Sequence, residues 1–425
     1  MATATEPVNR DNDPKTEETG GLRAVARQPI LDLQGRVHAF KLLLRGPSQP
    51  GGEGKRASED LLETAAHFRL AMPSELKKLT GKLTALVSCP AEALNEQLAQ
   101  TLPATLTVLE IAGTQEPSPE LIEICGNLKA LGFRFALADS AGHPPAEPLL
   151  KLADYIEVDF SRTRPEERAE LLRALPARPI PMLATGVETR ADYVQARDQG
   201  FTLFAGYYFW QPEVKKNRRP PANQLLRIEI MQALQQHPLD LRKVSQLVKR
   251  DGPMTYQLLR LANSPLWALR QAVESIEGAL LAVGDDAFRR IATLAIAREF
   301  NGDQPAELLG MAMIRGRFCE AAGRHLGLDP FAQYLLGLLS LLPAMQGQPM
   351  KEAVQVLPLS AEIREALVGT RNRERALLGW LECYERGDWP GCDAAAETDD
   401  LNQAELVKTY IEAIAWTEAA LYSVG

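Results

Sequence analysis

Two hydrophobic periodicities divide this chain, and the break between them constrains the fold more than any single motif. From Leu22 to about Val214, short apolar runs of strand length alternate with helical stretches. The runs are Leu83–Val87, Thr105–Ile111, Phe133–Leu137, Tyr155–Val158 and Pro179–Ala184; Pro119–Leu131 and Glu166–Leu175 carry apolar residues at helical spacing. Repeated strand then helix predicts an α/β unit with a mostly parallel sheet or barrel, because parallel neighbours need a crossover between them. The alternation stops at Lys215-Lys216-Asn217-Arg218-Arg219-Pro220-Pro221, where four cations and two prolines interrupt both periods. Beyond it every long segment reads as helix: Gln224–Gln236, Leu241–Lys249, Met254–Asn263, Ile276–Ala282, Asp286–Glu299 and several more to Leu421.

The predicted organisation is therefore a tail over 1–20, an α/β domain over 21–214, a solvated linker over 215–221 and an all-α domain over 222–425. A chain of 425 residues fits this division, since single cores stop growing beyond about 250–300 residues. Hydrophobic content of 45% with 24% charged residues is that of a soluble globular protein. A net charge of −8 opposes general binding to nucleic acid or anionic membranes, neither of which is expected as a partner. There is no uninterrupted apolar stretch of 18 residues. Met1–Gly20 is polar, with Asp11, Asp13, Glu17 and Glu18 and no signal-peptide core, so a cytoplasmic location is expected. Five cysteines without a CxxC pair and five dispersed histidines without an HExxH pair suggest neither disulfide framework nor zinc site, and no cofactor is expected.

Several short patterns from Arg27 to Pro212 occur in a telling order: Gln28-Pro29-Ile30, Lys41-Leu42-Leu43-Leu44-Arg45, Leu109-Glu110-Ile111, Ala136-Leu137-Ala138-Asp139, Glu157-Val158-Asp159-Phe160, Thr185-Gly186-Val187-Glu188-Thr189 and Ala205-Gly206-Tyr207-Tyr208-Phe209. Together they resemble the EAL domain, the family of cyclic di-GMP phosphodiesterases. The resemblance implies a modified TIM-type barrel with its site at the C-terminal ends of the strands. It also implies divalent metals held by carboxylates, which activate water and neutralise developing charge.

Carried over position by position, the resemblance finds much of that apparatus replaced. Lys41 stands where the family's naming glutamate would be, Ser88 for an asparagine, Ala138 for the first of paired acids, Glu157 for a lysine, Thr185 for a glutamate and Ala205 for a glutamine; Glu110 and Asp139 remain. The resemblance thus implies a degenerate former active site without metal. The opposite charges of Lys41 and Glu157 relative to the family look like a swap. An ion pair of Lys41 with Glu157, Glu110 or Asp139 is expected, since a buried lysine needs an acid partner. Gln28, Arg45 and Glu188 match positions that face the nucleotide, leaving residual cyclic di-GMP binding open.

Other patterns carry less. The loop Gly46–Arg56 contains Gly-Lys but lacks the offsets of a phosphate-binding loop and reads as a surface turn. Tyr207-Tyr208-Phe209-Trp210 reads as core packing of the last strand. In the second half, Asp251-Gly252-Pro253-Met254, Leu258–Pro265, Ser275-Ile276 and Ala282-Val283-Gly284 resemble the HDOD domain, a helical relative of HD phosphohydrolases without the His-Asp metal pair. Arg315–Glu320 and Gly337–Leu342 continue the likeness to proteins that pair a degenerate EAL domain with HDOD. His237 and His325 precede Pro238 and Leu326, so no His-Asp pair exists there. Asn263-Ser264-Pro265 reads as a helix end, since asparagine tolerates left-handed geometry and proline follows helix stops.

The expected function is a signal-transduction scaffold without catalysis, an inactive phosphodiesterase homologue acting through an unidentified protein partner. A cyclic di-GMP receptor without turnover is the alternative, and a phosphodiesterase with an altered site is the third reading. Because Ala138–Pro148 departs from the EAL pattern, which often dimerises through the barrel, a monomer or weak dimer is expected.

Overall fold

A hairpin opens the barrel. Strands β1 (Ala24–Asp32) and β2 (Val37–Arg45) pair antiparallel. The Asp32 carboxylate accepts from the backbone of Gln34 and Arg36, each at 2.9 Å, while Gly35 takes φ +72, a conformation that side chains with a Cβ resist. Strands β3 (Thr84–Ser88), β4 (Thr107–Ala112), β5 (Arg134–Ala138), β6 (Tyr155–Asp159), β7 (Met182–Thr185) and β8 (Leu203–Ala205) follow β2 in parallel. β8 then closes on β1 antiparallel, completing an eight-stranded barrel. The computed structural model describes residues 22–46, 55–114, 116–138, 145–175, 180–210, 224–264, 267, 269, 271–302 and 304–422. The expected tail (1–20), the basic linker (215–221), residues 47–54 of the Gly-rich loop, Asp139 and Pro265 lie outside the described residues.

The crossovers are helical: α1 (Lys55–His67), α2 (Pro73–Thr80), α3 (Glu96–Thr101), α4 (Pro119–Ala130), α5 (Glu147–Leu152), α6 (Pro165–Ala174) and α7 (Arg190–Asp198). Their starts are written locally. Pro119 and Pro165 occupy first-turn positions where no amide donor is needed, and Ser118 accepts from the Leu121 amide. Thr189 and Asp192 cap α7 reciprocally.

Helices α8 (Gln224–Leu234), α9 (Leu241–Val248), α10 (Gly252–Ala262), α11 (Ile276–Val283) and α12 (Asp285–Asn301) open the second half. Next come α13 (Ala306–His325), α14 (Pro330–Leu339), α15 (Leu342–Gln346), α16 (Met350–Ala353) and α17 (Ala361–Leu367). The chain then adds α18 (Arg375–Arg386), α19 (Trp389–Asp399) and α20 (Gln403–Tyr422). α13 is buried along most of its length, and Glu307, Arg315 and Glu320 are buried there with its apolar and small residues. It meets α14 closely at Gly337, where an added Cβ would fall 2.2 Å from the Arg315 carbonyl oxygen. The Gly337–Leu342 pattern in the sequence therefore marks a helix crossing.

One expectation holds and one is corrected. Asn263 caps the end of α10, as the sequence leads one to expect, with φ −82 and a side-chain amide that pins the following loop through Val273, at 2.8 Å to the carbonyl and 2.7 Å from the amide. Tyr207, Tyr208 and Phe209 are buried, as expected of core packing, but Tyr207–Trp210 lies beyond the last strand, which ends at Ala205. Tyr208 stacks on Tyr193 of α7, whereas Tyr207 and Trp210 face the helical half. The physical reason is a sharp turn at Gly206, where φ is +150 and an added Cβ would lie 2.2 Å from the Val187 carbonyl oxygen.

One buried apolar cluster runs through both halves. Three polar junctions tie them together. Arg27, on the outer face of β1 over the Phe40 ring, donates to the Leu79 carbonyl at 2.5 Å and to Glu418 of α20 at 2.9 Å, with Glu307 of α13 at 4.0 Å. The Tyr384 hydroxyl of α18 donates to the Val25 carbonyl at 2.9 Å and accepts from the Val25 amide. Arg315 of α13 pairs with Glu385 of α18, Nε and Nη2 both donating to Oε2 at 3.0 and 2.7 Å and Nε also reaching Oε1 at 3.3 Å, beneath the Trp210 ring of the barrel.

Candidate functional site at the barrel mouth

Strand alternation builds the site. Ile30, Ala39, Leu86, Val108, Ala136, Tyr155, Leu183 and Leu203, one from each strand, form an apolar floor inside the barrel, joined by Ala205. Side chains on a strand return to the same face every second residue. Two residues further towards the mouth are therefore Lys41, Ser88, Glu110, Ala138, Glu157, Thr185 and Ala205, and on the antiparallel β1, Gln28. Residues scattered over 178 positions of sequence become one inward ring. Gln28 lies directly across from Lys41, and Ser88 across from Glu110.

The centre of the ring is an ion cluster. Lys41 Nζ lies 2.6 Å from Glu110 Oε2 and donates to Glu157 Oε1 at 2.8 Å. The ion pair expected for Lys41 thus forms with two acids together; the third, Asp139, lies outside the described residues. Glu110 and Glu157 are buried and Lys41 nearly so. Burial alone would pull the lysine down, but the carboxylates of Glu157 and Glu110 outweigh it and raise its pKa, so it is an ammonium. Burial first, and the neighbouring Glu110 second, push the Glu157 carboxyl up to about 8 against the pull of Lys41. Its Oε2 is buried without a hydrogen-bond partner.

This donor set does not fit the divalent metals that an EAL-type barrel implies. A hard ion needs several oxygens at about 2.0–2.6 Å. The position between the two carboxylates is taken by an ammonium. At about 4 Å and an effective dielectric of 20 one unit charge repels another by about 4 kcal/mol, and a divalent ion doubles that. Among the described residues no group of three His, Cys, Asp or Glu is arranged to hold a metal. Ala138 and Ala205 offer no ligand, and Thr185 leans on the Val158 carbonyl at 3.5 Å.

Of the nucleotide-facing candidates, Gln28 belongs to the ring, whereas Arg45 and Glu188 sit apart from it. Arg45, four residues above Lys41 at the rim, makes a forked pair with Asp393 of α19 at 3.0 and 2.8 Å. Partial burial raises the Glu188 carboxyl while the Arg386 charge opposes it, placing the end of α18 nearby. The Tyr207 hydroxyl donates to the Glu385 carbonyl at 2.9 Å, and Arg386 lies over the Tyr207 ring. Sequence reasoning did not find Asp393, Glu385 or Arg386 as neighbours of the mouth. No local pattern marks them, because each reaches it only through the docking of α18 and α19.

Residues 221–344 match the HDOD domain model. The match covers the first part of the helical half and stops before α16. Over 95% of this chain and 94% of the relative, the sequence is 28% identical to the protein named cyclic di-GMP phosphodiesterase CdgJ from Vibrio cholerae. Over 92% of this chain it is 29% identical to the uncharacterized protein YuxH of Bacillus subtilis, covering 97% of that protein. A solved complex of Klebsiella pneumoniae BlrP1 with calcium and cyclic di-GMP matches 44% of this chain at 21% identity and a TM-score of 0.36. The match spans 54% of the BlrP1 chain.

The expectation of an inactive homologue is corrected by these findings. A relative aligned over nearly the whole chain is named a phosphodiesterase, which points to an enzyme. The replaced ring positions bear on divalent-metal binding and do not by themselves decide turnover. No helix among the described residues is long and apolar enough to cross a membrane.

Proposed function

We propose that this chain is a cyclic di-GMP signalling protein of the cytoplasm, in which the barrel mouth recognises the cyclic dinucleotide and the helical half conveys the state of the mouth to a protein partner. The observation that carries it is the alignment with CdgJ across both halves, which ties the pairing of barrel and HDOD domain to cyclic di-GMP rather than either half alone. The placement of Arg45 supports it. A guanidinium at the rim presents a planar fork suited to a phosphodiester. The polar junctions at Tyr384, Glu385 and Arg315 give a change at the mouth a rigid route into the helices, acting as a monomer or weak dimer.

Calorimetry of the full chain with cyclic di-GMP tests this reading. Micromolar binding that Arg45→Ala weakens at least tenfold is expected; absence of heat at millimolar nucleotide overturns it. The name of the CdgJ relative favours a second reading, phosphodiester hydrolysis. Linear dinucleotide released with magnesium or manganese, and lost in Glu110→Ala, would establish it. In that reading Lys41 must be accounted for, since its ammonium lies between the two glutamates of the ring.

A further inference from the structure

The turn between α18 and α19 stands over one sector of the barrel mouth. Tyr384 holds the mouth end of β1 through both polar atoms of Val25. Gly387, with φ +68, lies against Leu43 of β2 so tightly that an added Cβ would meet Leu43 Cδ1 at 3.0 Å. Tyr207, just beyond β8, bonds the Glu385 carbonyl. These contacts cover β8, β1 and β2, neighbours in the barrel.

At the edge of that cover Arg45 is fully engaged. Asp393 takes its guanidinium by two parallel hydrogen bonds, and Trp389 of the same helix has its ring 6.0 Å from the guanidinium carbon. Gln403 of α20 donates to Asp393 at 2.9 Å and orients it. The Arg45 side chain is 15% exposed and that of Asp393 47%, so the pair is at the rim, within reach of solvent and of a ligand. An anionic fork on arginine is the geometry a phosphodiester oxygen pair would adopt.

We infer that Asp393 is an intramolecular occupant of the phosphate-binding position at Arg45, so that a cyclic dinucleotide and α19 compete for the same guanidinium and binding releases the α18–α19 turn from the mouth. The inference rests on the cyclic di-GMP reading above and adds its regulation. Because one arginine cannot hold both forks, ligand affinity is lowered by the stability of the Arg45–Asp393 contact, and ligand in turn weakens the hold of α19.

Calorimetry on the full-length protein separates the possibilities. Asp393→Ala is expected to bind cyclic di-GMP about tenfold more tightly than wild type, Asp393→Asn to lie between, and Arg45→Ala to lose binding. Hydrogen exchange should then show faster exchange across 387–399 in wild type on adding the nucleotide. Equal affinity of wild type and Asp393→Ala, alongside loss in Arg45→Ala, overturns the competition while leaving the cyclic di-GMP reading intact. Absence of binding in every variant, including Asp393→Ala, overturns both. Slower exchange across 387–399 with ligand also overturns the competition, since it would make α19 part of the bound site.

Discussion

The ring cluster of Lys41, Glu110 and Glu157 and the junction of Arg315 with Glu385 are both buried ion pairs, yet they differ in geometry and in what they join. Lys41 is a point charge shared by two monodentate glutamates within one barrel. Arg315 meets Glu385 by three hydrogen bonds from two nitrogens, with Ser340 and the Trp210 ring satisfying the rest of the guanidinium, and it joins α13, α18 and the barrel. The first leaves a carboxyl oxygen without a partner, and burial pushes that acid towards neutrality; the second is nearly complete. A pair whose donors and acceptors match in shape holds a fold together, whereas a mismatched cluster keeps a titratable group in reserve.

The comparison can be broken most easily at the junction. Glu385→Ala leaves the Arg315 guanidinium buried and unpaired, and should cost about 3–5 kcal/mol in urea unfolding; a loss below about 1 kcal/mol would show the junction to be incidental. Lys41→Met should cost less, about 2 kcal/mol, because Glu157 can stay protonated once its cation is removed. The companion Lys41→Glu restores an acid to the ring. Its thermal midpoint should fall in chelator and rise by a few degrees with manganese, while wild type shows no such rise.

A smaller, graded effect concerns pH. Glu157 and Glu307 hold protons more tightly folded than unfolded, at about 8 and about 7, chiefly through burial. Their contribution to stability is full below the ordinary carboxylate range near 4.5 and is lost as pH rises through those values. Urea midpoints followed from pH 5 to 8.5 should therefore decline, and Glu307→Gln should flatten the curve near pH 7. The smallest effect is expected at the rim. Asp393→Ala should change stability by less than about 1 kcal/mol, as a half-exposed pair does, even though it changes ligand affinity.

Legibility followed the length scale of each feature. The runs that became β3 to β7 and the change to an all-helical second half were readable, because hydrophobic period is local. The ring was readable through resemblance, and the Lys41 pair through the need of a buried cation for an acid. Tyr207–Trp210 was misplaced in the last strand because a sharp turn at Gly206 overrode local propensity, although the burial of Tyr207, Tyr208 and Phe209 was read correctly. Arg27 carried no signal, although it joins β1 to α2, α13 and α20.

By itself the sequence determined that this chain folds as a barrel followed by helices, and that a lysine faces acids inside that barrel. Periodicity gave strands alternating with helices and then helices alone; the resemblance implied the barrel and the place of the lysine in it, and the cost of an unpaired buried charge implied its acid partners. Only the tertiary structure decided that Asp393 meets Arg45, that Glu385 meets Arg315 and that the α18–α19 turn stands at the mouth. Those pairs lie 348 and 70 residues apart, and no periodic pattern spans such distances. They exist because the helical half docks on the barrel, where apolar burial across both halves brings the charges within reach.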